Sequence, residues 1–421
     1  MVGIVQRSAA VVTFVGMLSL SLSAPQTRHV ERVADMIVMA PRKKTLAQLA
    51  AQELEGVDVS NLADFFRISP WDPDELRLSL VEWILRDLAK RVKNSSAPIY
   101  LTLDDSLAVK DKGTKKLQSV DWHFDHNRKQ TVKGGNHVVL GIHWGGFHYP
   151  LLWRLYLRQQ TVRRLNRRRK NHRLRYQSKL DLARQMLEQI LIKLPAGKPV
   201  YVLFDSWYTC GKLVKWIRQQ GWHVIAGLKS NRKVSGRKLT DWHKDFKGRR
   251  YCRVRLRLAN GRMRTYWVRT VTGRLEGVPG DVRVLMSQMG PGAKAPKHFV
   301  CTDTTLSERE ILRRYQNRWS QEVDYWHVKL QLGLGDFRMQ SVEAIEKWYA
   351  VVYLTLVMLY WQRYEDSVKH KRATSLSEVL SRMRADHHRA VLRAVCEEVK
   401  AGADVDDVLR RYLQEPEFAA A

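Results

Sequence analysis

The sequence predicts a mixed α/β fold, and three observations support this class. Two short apolar runs, at residues 99–103 and 200–204, have the composition of strands buried in a mostly parallel sheet. Helix-patterned segments precede, separate and follow these runs. Asp104 and Asp205 come directly after the two runs, and parallel sheets place functional groups at the carboxyl ends of their strands. We therefore expect both carboxylates at one edge of the sheet.

The net charge indicates a polyanionic partner. The 421 residues include 73 Lys and Arg against 42 Asp and Glu, which gives a formal charge of +31. With 44% hydrophobic residues the chain can bury a core, and its length is typical of two or three domains. Such a surplus attracts nucleic acid at long range and argues against a small-molecule substrate. The alternative is a ribosome-associated or generally adhesive basic protein.

The cysteines and two apolar stretches bear on the cellular setting. The four cysteines include no C-x-x-C pair, so neither a zinc site nor a disulfide framework is indicated. We expect a cytoplasmic, nucleoid-associated protein. Residues 1–24 share features with a secretory signal, but Thr13 and Ser19 interrupt the apolar stretch. The apolar residues 348–361 are too few to cross a membrane and predict a buried helix, so no membrane partner is expected.

Residues 1–95 are predicted to form a helical region that binds DNA. Residues 45–52 and 59–67 have apolar positions at helical spacing, each with a Ser or Thr near the start. Two short helices so placed are typical of a helix-turn-helix, which could read DNA ends. A plain helical bundle without groove contact fits the same pattern, and both interpretations stay open.

Residues 96–229 and 302–365 are predicted to form the catalytic core. Gly145 and Gly146 fall where a hairpin turn would join two of its strands. The elements expected are strands at 99–103, 137–142 and 149–157, a helix at 180–194, a strand at 200–204 and a further helix. This is the order of the ribonuclease H-like fold, in which the first and fourth strands carry the first two carboxylates.

A β-rich insertion is predicted at residues 230–301, inside the core. Short strand-like runs alternate there with Gly and Pro, and Asn260-Gly261 is a strong hairpin signal. Ser307 and Glu310 then form a capping box, which predicts the start of a helix that carries Glu322. Residues 366–421 are predicted to be a helical C-terminal region.

Four side chains of the helix that carries the glutamate are spaced to share one face: Tyr315, Arg318, Glu322 and Lys329. A carboxylate flanked by two cations and a phenol suits a metal-bound phosphate of DNA, because the carboxylate can hold metal while the cations grip neighbouring phosphates. Trp319, Val323 and Trp326 make the opposite face apolar. The alternative is an ordinary surface ion pair between Arg318 and Glu322.

The spacing Tyr315-x2-Arg318-x3-Glu322-x6-Lys329 resembles the Y-R-E-K signature of one group of bacterial insertion-sequence DDE transposases. The resemblance extends over about residues 96–365, including a β-strand insertion between the second aspartate and the glutamate. It is looser over the N-terminal helices.

Three carboxylates, Asp104, Asp205 and Glu322, are the predicted catalytic and metal-binding residues. Gathered at the ends of strands, they would hold two divalent ions, Mg²⁺ or Mn²⁺, and two-metal sites carry out in-line displacement at phosphorus. The resemblance implies cutting of double-stranded DNA at inverted-repeat ends and joining of the 3′-hydroxyls to target DNA. It also implies a hairpin on the excised ends and a homodimer that bridges two ends.

Asp104 and Asp105 compete for the first metal position. Side chains alternate along a strand, so only one of the two can face the site directly. The resemblance favours Asp104, which ends the apolar run. The histidines at 123, 126, 137, 143 and 148 lack tight metal-ligand spacing, and we expect structural or phosphate-contacting roles for them.

A basic segment at residues 163–175 contains eight Lys or Arg in thirteen positions. This density of charge, with little aromatic interleaving, predicts contact with the DNA backbone rather than with bases. The residues expected to bind DNA there are Arg163, Arg164, Arg167, Arg168, Arg169 and Lys170. A solvated basic loop is the alternative.

Other activities are disfavoured or remain as alternatives. The chain has no G-x-x-x-x-G-K-[ST] motif, so no nucleotide cofactor is expected. A ribonuclease H-like nuclease or resolvase would cut without joining, and a catalytically silent transposase relative would only bind DNA. The intact triad of carboxylates argues against silence. Terminal inverted repeats beside the gene would distinguish a transposase from a nuclease.

Overall fold

The computed structural model describes residues 7–41, 43–52, 58–93, 95–125, 128–246, 251–258, 261–290 and 295–413. The α-helices are α1 (Ala9–Gly16), α2 (Ala24–Met39), α3 (Leu46–Ala50), α4 (Val59–Arg67), α5 (Pro73–Arg91), α6 (Gln159–Asn166), α7 (Lys179–Leu191), α8 (Gly211–Gln219), α9 (Leu239–Phe246), α10 (Glu308–Tyr315), α11 (Trp319–Trp326), α12 (Val342–Lys369), α13 (Leu376–Lys400) and α14 (Val405–Leu413). A 3-10 turn (Gln316–Arg318) joins α10 to α11, and a π-helical segment (His327–Gln331) follows α11.

The strands are β1 (Ile99–Val109), β2 (Val120–Asp125), β3 (Gln130–Trp144), β4 (Phe147–Tyr156), β5 (Val200–Phe204), β6 (His223–Leu228), β7 (Lys233–Val234), β8 (Arg237–Lys238), β9 (Cys252–Arg257), β10 (Met263–Arg274), β11 (Asp281–Gln288) and β12 (Lys297–Cys301). Among the described residues, ten of these strands form one mixed sheet, and β7 and β8 pair separately. The predicted mixed α/β class is confirmed.

The centre of the sheet is parallel and its flanks are antiparallel. β1, β5 and β6 run parallel, while β3 is antiparallel to β1 and also pairs with β2 and β4. Beyond β6 the sheet continues through β12, β11, β10 and β9, each antiparallel to its neighbour. The β-rich residues after β6 therefore extend the central sheet. The domain boundaries expected from the sequence stay predictions.

Strand β1 is longer than the predicted run of residues 99–103. Its parallel pairing with β5 ends at Leu103 and Phe204, but its antiparallel pairing with β3 continues to Val109 and Gly134. Asp104 and Asp105 therefore lie inside a strand. The expectation that the strand ends before them was wrong, because the backbone groups of β3 hold this polar stretch extended.

Helix α12 is the centre of the helical core. Its side chains are buried without interruption from Lys347 to Tyr360, as expected for the apolar stretch, and it packs against α1, α2, α4, α5 and β4. Phe14 of α1 is fully buried, with its ring 4.8 Å from Trp83 and 5.7 Å from Trp361. The part of the signal-like stretch that forms α1 is thus part of this core. No helix among the described residues is long and apolar enough to cross a membrane.

Several local predictions from the sequence are confirmed. The turn between β3 and β4 uses Gly145 and Gly146, both with positive φ, the region that glycine adopts without a steric cost. Ser307 caps α10 in a capping box with Glu310. Asn260 lies outside the described residues. Helices form near residues 45–52 and 59–67 as α3 and α4, and Phe66 packs against Trp348 of α12. Whether α3 and α4 bind DNA stays a prediction.

Candidate active site

The three predicted carboxylates line one cleft with a volume of about 1380 Å³. Asp104 follows the last parallel residue pair between β1 and β5, and Asp205 is the first residue after β5. Glu322 reaches the cleft from α11. The topology brings together residues that are far apart in sequence because β1 and β5 are parallel neighbours, so their carboxyl ends meet.

The segment from α10 to the π-helical residues is fastened to the sheet by Tyr315. Its hydroxyl donates a hydrogen bond to the carbonyl oxygen of Phe204 at 3.3 Å, and its ring packs on Phe299 at 4.8 Å. Burial raises the pKa of the Tyr315 phenol to about 12. Tyr315 thus anchors the helix at the end of β5, one residue from Asp205.

Arg318 connects two of the three carboxylates. One guanidinium nitrogen donates to Asp104 Oδ2 at 2.9 Å, and the other donates to Glu322 Oε1 at 2.5 Å. The guanidinium carbon lies 5.7 Å from the centre of the Tyr315 ring. The sequence predicted the contact with Glu322 by helical spacing, but it gave no indication of the contact with Asp104. An isolated surface pair does not describe this arrangement, because one cation joins the sheet to the helix.

Asp104 is held in an environment that disfavours its ionisation. Burial raises the pKa of its carboxyl to about 7, the nearby negative charges of Asp105 and Asp205 act in the same direction, and Arg318 opposes them. A concentration of negative charge in a partly buried site is the condition under which a cation binds favourably.

Asp105 is engaged by a different set of partners. Its carboxylate accepts hydrogen bonds from Lys179 at 2.5 Å, Asn136 at 3.1 Å and Tyr208 at 3.2 Å. Asp104 instead contacts Arg318, which agrees with the alternation expected along a strand. These contacts favour Asp104 over Asp105 as the residue next to Glu322, although the choice of metal ligand stays a prediction.

Asp205 is fixed by the turn that follows β5. Its Oδ1 accepts hydrogen bonds from the backbone N–H groups of Trp207 at 2.9 Å and Tyr208 at 3.4 Å. A carboxylate that bonds to the backbone two and three residues ahead is typical of an Asx turn. The turn fixes the Asp205 side chain, which lines the cleft.

Lys329 lines the same cleft from the π-helical segment. Burial lowers the pKa of its ammonium group, and the carboxylates of Asp125, Asp104 and Asp105 partly restore it. Its Nζ lies 5.7 Å from the centre of the Tyr325 ring. A π-helical turn is common at functional sites, and here it directs the last residue of the signature into the cleft.

Exposed aromatic rings also line the cleft: Trp122, Phe124, Tyr176, Trp207 and Trp326. The expectation that Trp326 lies on the face opposite Glu322 was wrong, because residues four apart on a helix share one face and both line the cleft. Two of the rings lie on β2, a strand for which the sequence gave no clear pattern. Trp207, two residues after Asp205, could have been found from its position. Flat apolar faces beside cations suit nucleotides, since bases stack on rings while phosphates meet positive charge.

Among the described residues, no three His, Cys, Asp or Glu side chains lie close enough together to hold one metal ion between them. The guanidinium of Arg318 lies between Asp104 and Glu322 and is bonded to both. The histidines that the structure describes on β3 and β4 have structural partners. His137 bonds with Tyr353, His143 with Ser320 and His148 with Asp324. His126 lies outside the described residues.

The basic segment contains exposed residues and one arginine that is bonded within the protein. The exposed ones are Arg163, Arg164, Arg167, Arg168 and Lys170. Arg169 is turned inward and donates to Glu343 at 2.6 Å and to Gln118 at 3.2 Å. The first two arginines lie on α6 and the rest follow it. The role of the segment in DNA binding stays a prediction, and its contacts make Arg169 the member least available for it.

Comparison with known proteins gives a family for the chain. A family model described as DDE superfamily endonuclease matches residues 21–267, a range that includes Asp104 and Asp205 and ends before Glu322. No curated protein matches the chain by sequence. Among solved structures, the chain is similar to the piggyBac transposase in a cryo-EM structure of its synaptic complex with hairpin DNA. The TM-score is 0.48 at 11% identity, over 98% of this chain and 82% of that chain.

Proposed function

The chain belongs to the DDE superfamily of endonucleases, and from this premise we propose that it is a DNA transposase of the bacterial insertion-sequence group with the Y-R-E-K signature. It would cut double-stranded DNA at inverted-repeat ends and join the resulting 3′-hydroxyls to target DNA, acting as a homodimer that bridges two ends. A hairpin on the excised ends is part of the same proposal.

One observation carries this proposal above all. Arg318 of the signature bridges Asp104 and Glu322, so the four-residue motif and the aspartate on β1 belong to one site. The strand order β4-β3-β1-β5-β6, with β1, β5 and β6 parallel, supports a ribonuclease H-like core. Exposed arginines and a net charge of +31 supply attraction for the DNA backbone.

The residues of the cleft fit divalent metal ions. Asp104, Asp205 and Glu322 offer the hard oxygen ligands that Mg²⁺ and Mn²⁺ prefer. Burial, with a smaller contribution from neighbouring carboxylates, raises the pKa of Asp104, and a bound cation would favour its ionised form. Two bound ions would activate water or a 3′-hydroxyl and stabilise the leaving 3′-oxygen. Arg318 donates hydrogen bonds to both Asp104 and Glu322, and it would keep the two carboxylates aligned before DNA enters.

The other residues of the cleft orient the substrate. Lys329 lines the cleft, and Arg318 lies behind two of the carboxylates that line it. Both would place positive charge near the phosphates beside the scissile bond, and charge-assisted contacts of this kind bind phosphate strongly. Trp207 and Trp326 offer rings to bases or sugars. Tyr315 fastens its helix to the end of β5, next to Asp205, and would thereby limit movement of Glu322 relative to Asp205.

Substitution of the three carboxylates tests the proposal. Asp104→Ala, Asp205→Ala and Glu322→Ala should each abolish nicking of an inverted-repeat duplex in Mg²⁺ and leave binding in a gel-shift assay, because each change removes a ligand but not the distant basic surface. Asp303→Ala is the matched control. It removes a carboxylate just after β12 that bonds to Tyr201 and Thr305 and does not line the cleft. Near wild-type nicking by any of the three variants would contradict the assignment.

A second assay distinguishes joining from cutting alone. A pre-cut, labelled end with a 3′-hydroxyl should become covalently attached to a target plasmid, whereas the same end with a 3′-deoxy terminus should not. Cutting without attachment of the hydroxyl end would indicate that the protein is a nuclease or resolvase. DNA binding without either reaction would indicate a catalytically silent relative.

A further inference from the structure

Helix α11 is inserted into the fold with its polar side inward. Its buried residues are Gln321, Asp324 and Tyr325, while Trp319 is 58% exposed and Trp326 is 46% exposed. A surface helix ordinarily buries its apolar stripe. Within α11 only Tyr325 adds its ring to the apolar core, so much of the rotation of the helix that carries Glu322 depends on the polar contacts of Gln321 and Asp324.

The carboxylate of Asp324, at the centre of the buried face, helps to fix the rotation of the helix. Its side chain is fully buried. One oxygen lies 2.7 Å from His148 Nε2 on β4, and the other accepts a hydrogen bond from the Tyr360 hydroxyl on α12 at 2.5 Å. A buried carboxylate without partners would cost several kcal/mol, so the two contacts strongly favour this one orientation.

Further polar contacts link the same helix to β3. The side chain of Gln321 donates to the carbonyl oxygen of Val139 at 2.7 Å. Ser320 Oγ bonds with His143 and also donates to the carbonyl of Asn317. Hydrogen bonds are directional, unlike apolar contacts, so these bonds set both the rotation and the height of the helix on the sheet.

The consequence for the cleft follows from helix geometry. Successive residues are separated by about 100°, so Asp324 points about 200° away from Glu322. Asp324, which is hydrogen-bonded on the buried side, is therefore nearly opposite Glu322, which faces the cleft. A small rotation allowed by loss of the Asp324 contacts would displace the Glu322 carboxylate sideways.

We propose that Asp324, His148 and Tyr360 are positioning residues for Glu322, and that their hydrogen bonds set how well the glutamate can share in holding a divalent ion. This inference rests on the proposed function. Plain stabilisation does not require such an arrangement, since burial of Trp319 and Trp326 would stabilise the helix without taking a carboxylate out of water.

A matched pair of substitutions on α12 tests the proposal. Tyr360→Phe removes the hydroxyl that bonds to Asp324, and Tyr353→Phe removes an equally buried hydroxyl that bonds to His137 at 2.8 Å and makes no hydrogen bond to α11. Two readouts are needed: the Mn²⁺ concentration for half-maximal single-turnover nicking, and amide hydrogen exchange of residues 319–331. Melting temperature and the Kd for duplex DNA are measured alongside.

We expect Tyr360→Phe to raise the required Mn²⁺ concentration by about fivefold. It should speed amide exchange in residues 319–331 and leave the DNA Kd unchanged. Tyr353→Phe should lower the melting temperature comparably and change neither the Mn²⁺ requirement nor the exchange of that segment. Asp324→Asn, which keeps the shape and loses the charge, should resemble Tyr360→Phe. Equal effects of the two tyrosine variants on the Mn²⁺ requirement and on exchange, or no effect of either, would overturn the proposal.

Absence of nicking in the wild-type protein would count against the proposed function alone. The exchange measurement, together with Mn²⁺ binding measured by calorimetry, would still decide whether the Asp324 contacts position the helix. Weaker Mn²⁺ binding and faster exchange in Tyr360→Phe but not in Tyr353→Phe would support the positioning role in that case. Unchanged binding and exchange in both would refute it.

Discussion

The carboxyl of Asp104 binds a proton more tightly in the folded protein than in the unfolded chain. Burial, with the charges of Asp105 and Asp205, raises its pKa from 3.8 to about 7, against the influence of Arg318. The folded state therefore binds more protons than the unfolded state between these two values. The resulting contribution to stability is complete below about pH 4 and is lost as the pH rises through about 7.

We predict that Asp104→Asn raises the melting temperature relative to wild type more at pH 8.5 than at pH 5, measured in EDTA. The neutral amide avoids the cost of a buried charge, which is at most about 4 kcal/mol for a shift of this size. Asp303→Asn is the control. Despite partial burial, hydrogen bonds from Thr305 and Tyr201 lower the pKa of Asp303, so its loss should bring no such gain at high pH. The same difference from wild type at both pH values would contradict the prediction.

The bridging position of Arg318 leads to a separate prediction. Arg318→Ala should slow nicking by ten- to more than a hundredfold and weaken DNA binding less, because each lost charge-assisted contact is worth roughly 1.5–3 kcal/mol and acts mainly in the transition state. Lys329→Ala should act in the same direction. Single-turnover cleavage and melting temperature are measured on the same proteins. If the Arg318→Ala protein were destabilised but turned over normally, Arg318 would be a structural ion-pair partner and not a contributor to catalysis.

At the scale of elements, the basic segment that begins on α6 separates into two kinds of arginine. Replacement of Arg163, Arg164, Arg167 and Arg168 by Ala should reduce the slope of log Kd against log salt by up to about 0.9 for each lost phosphate contact. Arg169→Ala should instead lower stability and leave the slope unchanged, because Arg169 is engaged by Glu343. An unchanged slope in the fourfold variant would indicate that the segment is a solvated loop without phosphate contacts.

Elements decided by local pattern were predictable from the sequence, and those decided by distant partners were not. The cap at Ser307, the turn at Gly145 and the buried helix α12 follow from residues close together in the chain. The extension of β1 through Asp104 depends on β3, since Asp104 pairs with Val139. In the same way, spacing predicted that Arg318 meets Glu322, but its contact with Asp104 spans 214 residues, which no local pattern records.

At the scale of the whole molecule, the first helix and α12 share one core. We predict that Phe14→Ala lowers the free energy of unfolding by about 3–5 kcal/mol, the usual cost of removing a fully buried phenylalanine ring. Val12→Ala, on the exposed side of the same helix, should cost much less. Urea denaturation of the two variants gives the comparison. Similar stability of both would mean that α1 is not an integral part of the core.

The packing of α12 against α2, α4 and α5 also determines when the chain can complete its core during synthesis. Roughly 250 residues separate the end of α5 from the start of α12. At about 5–20 residues per second, a ribosome needs roughly 12–50 s to make them. Throughout that interval the N-terminal helices, including the Phe66 ring that later meets Trp348, are without their main apolar partner. The protein made from a transcript truncated before α12 would therefore either require chaperones or aggregate.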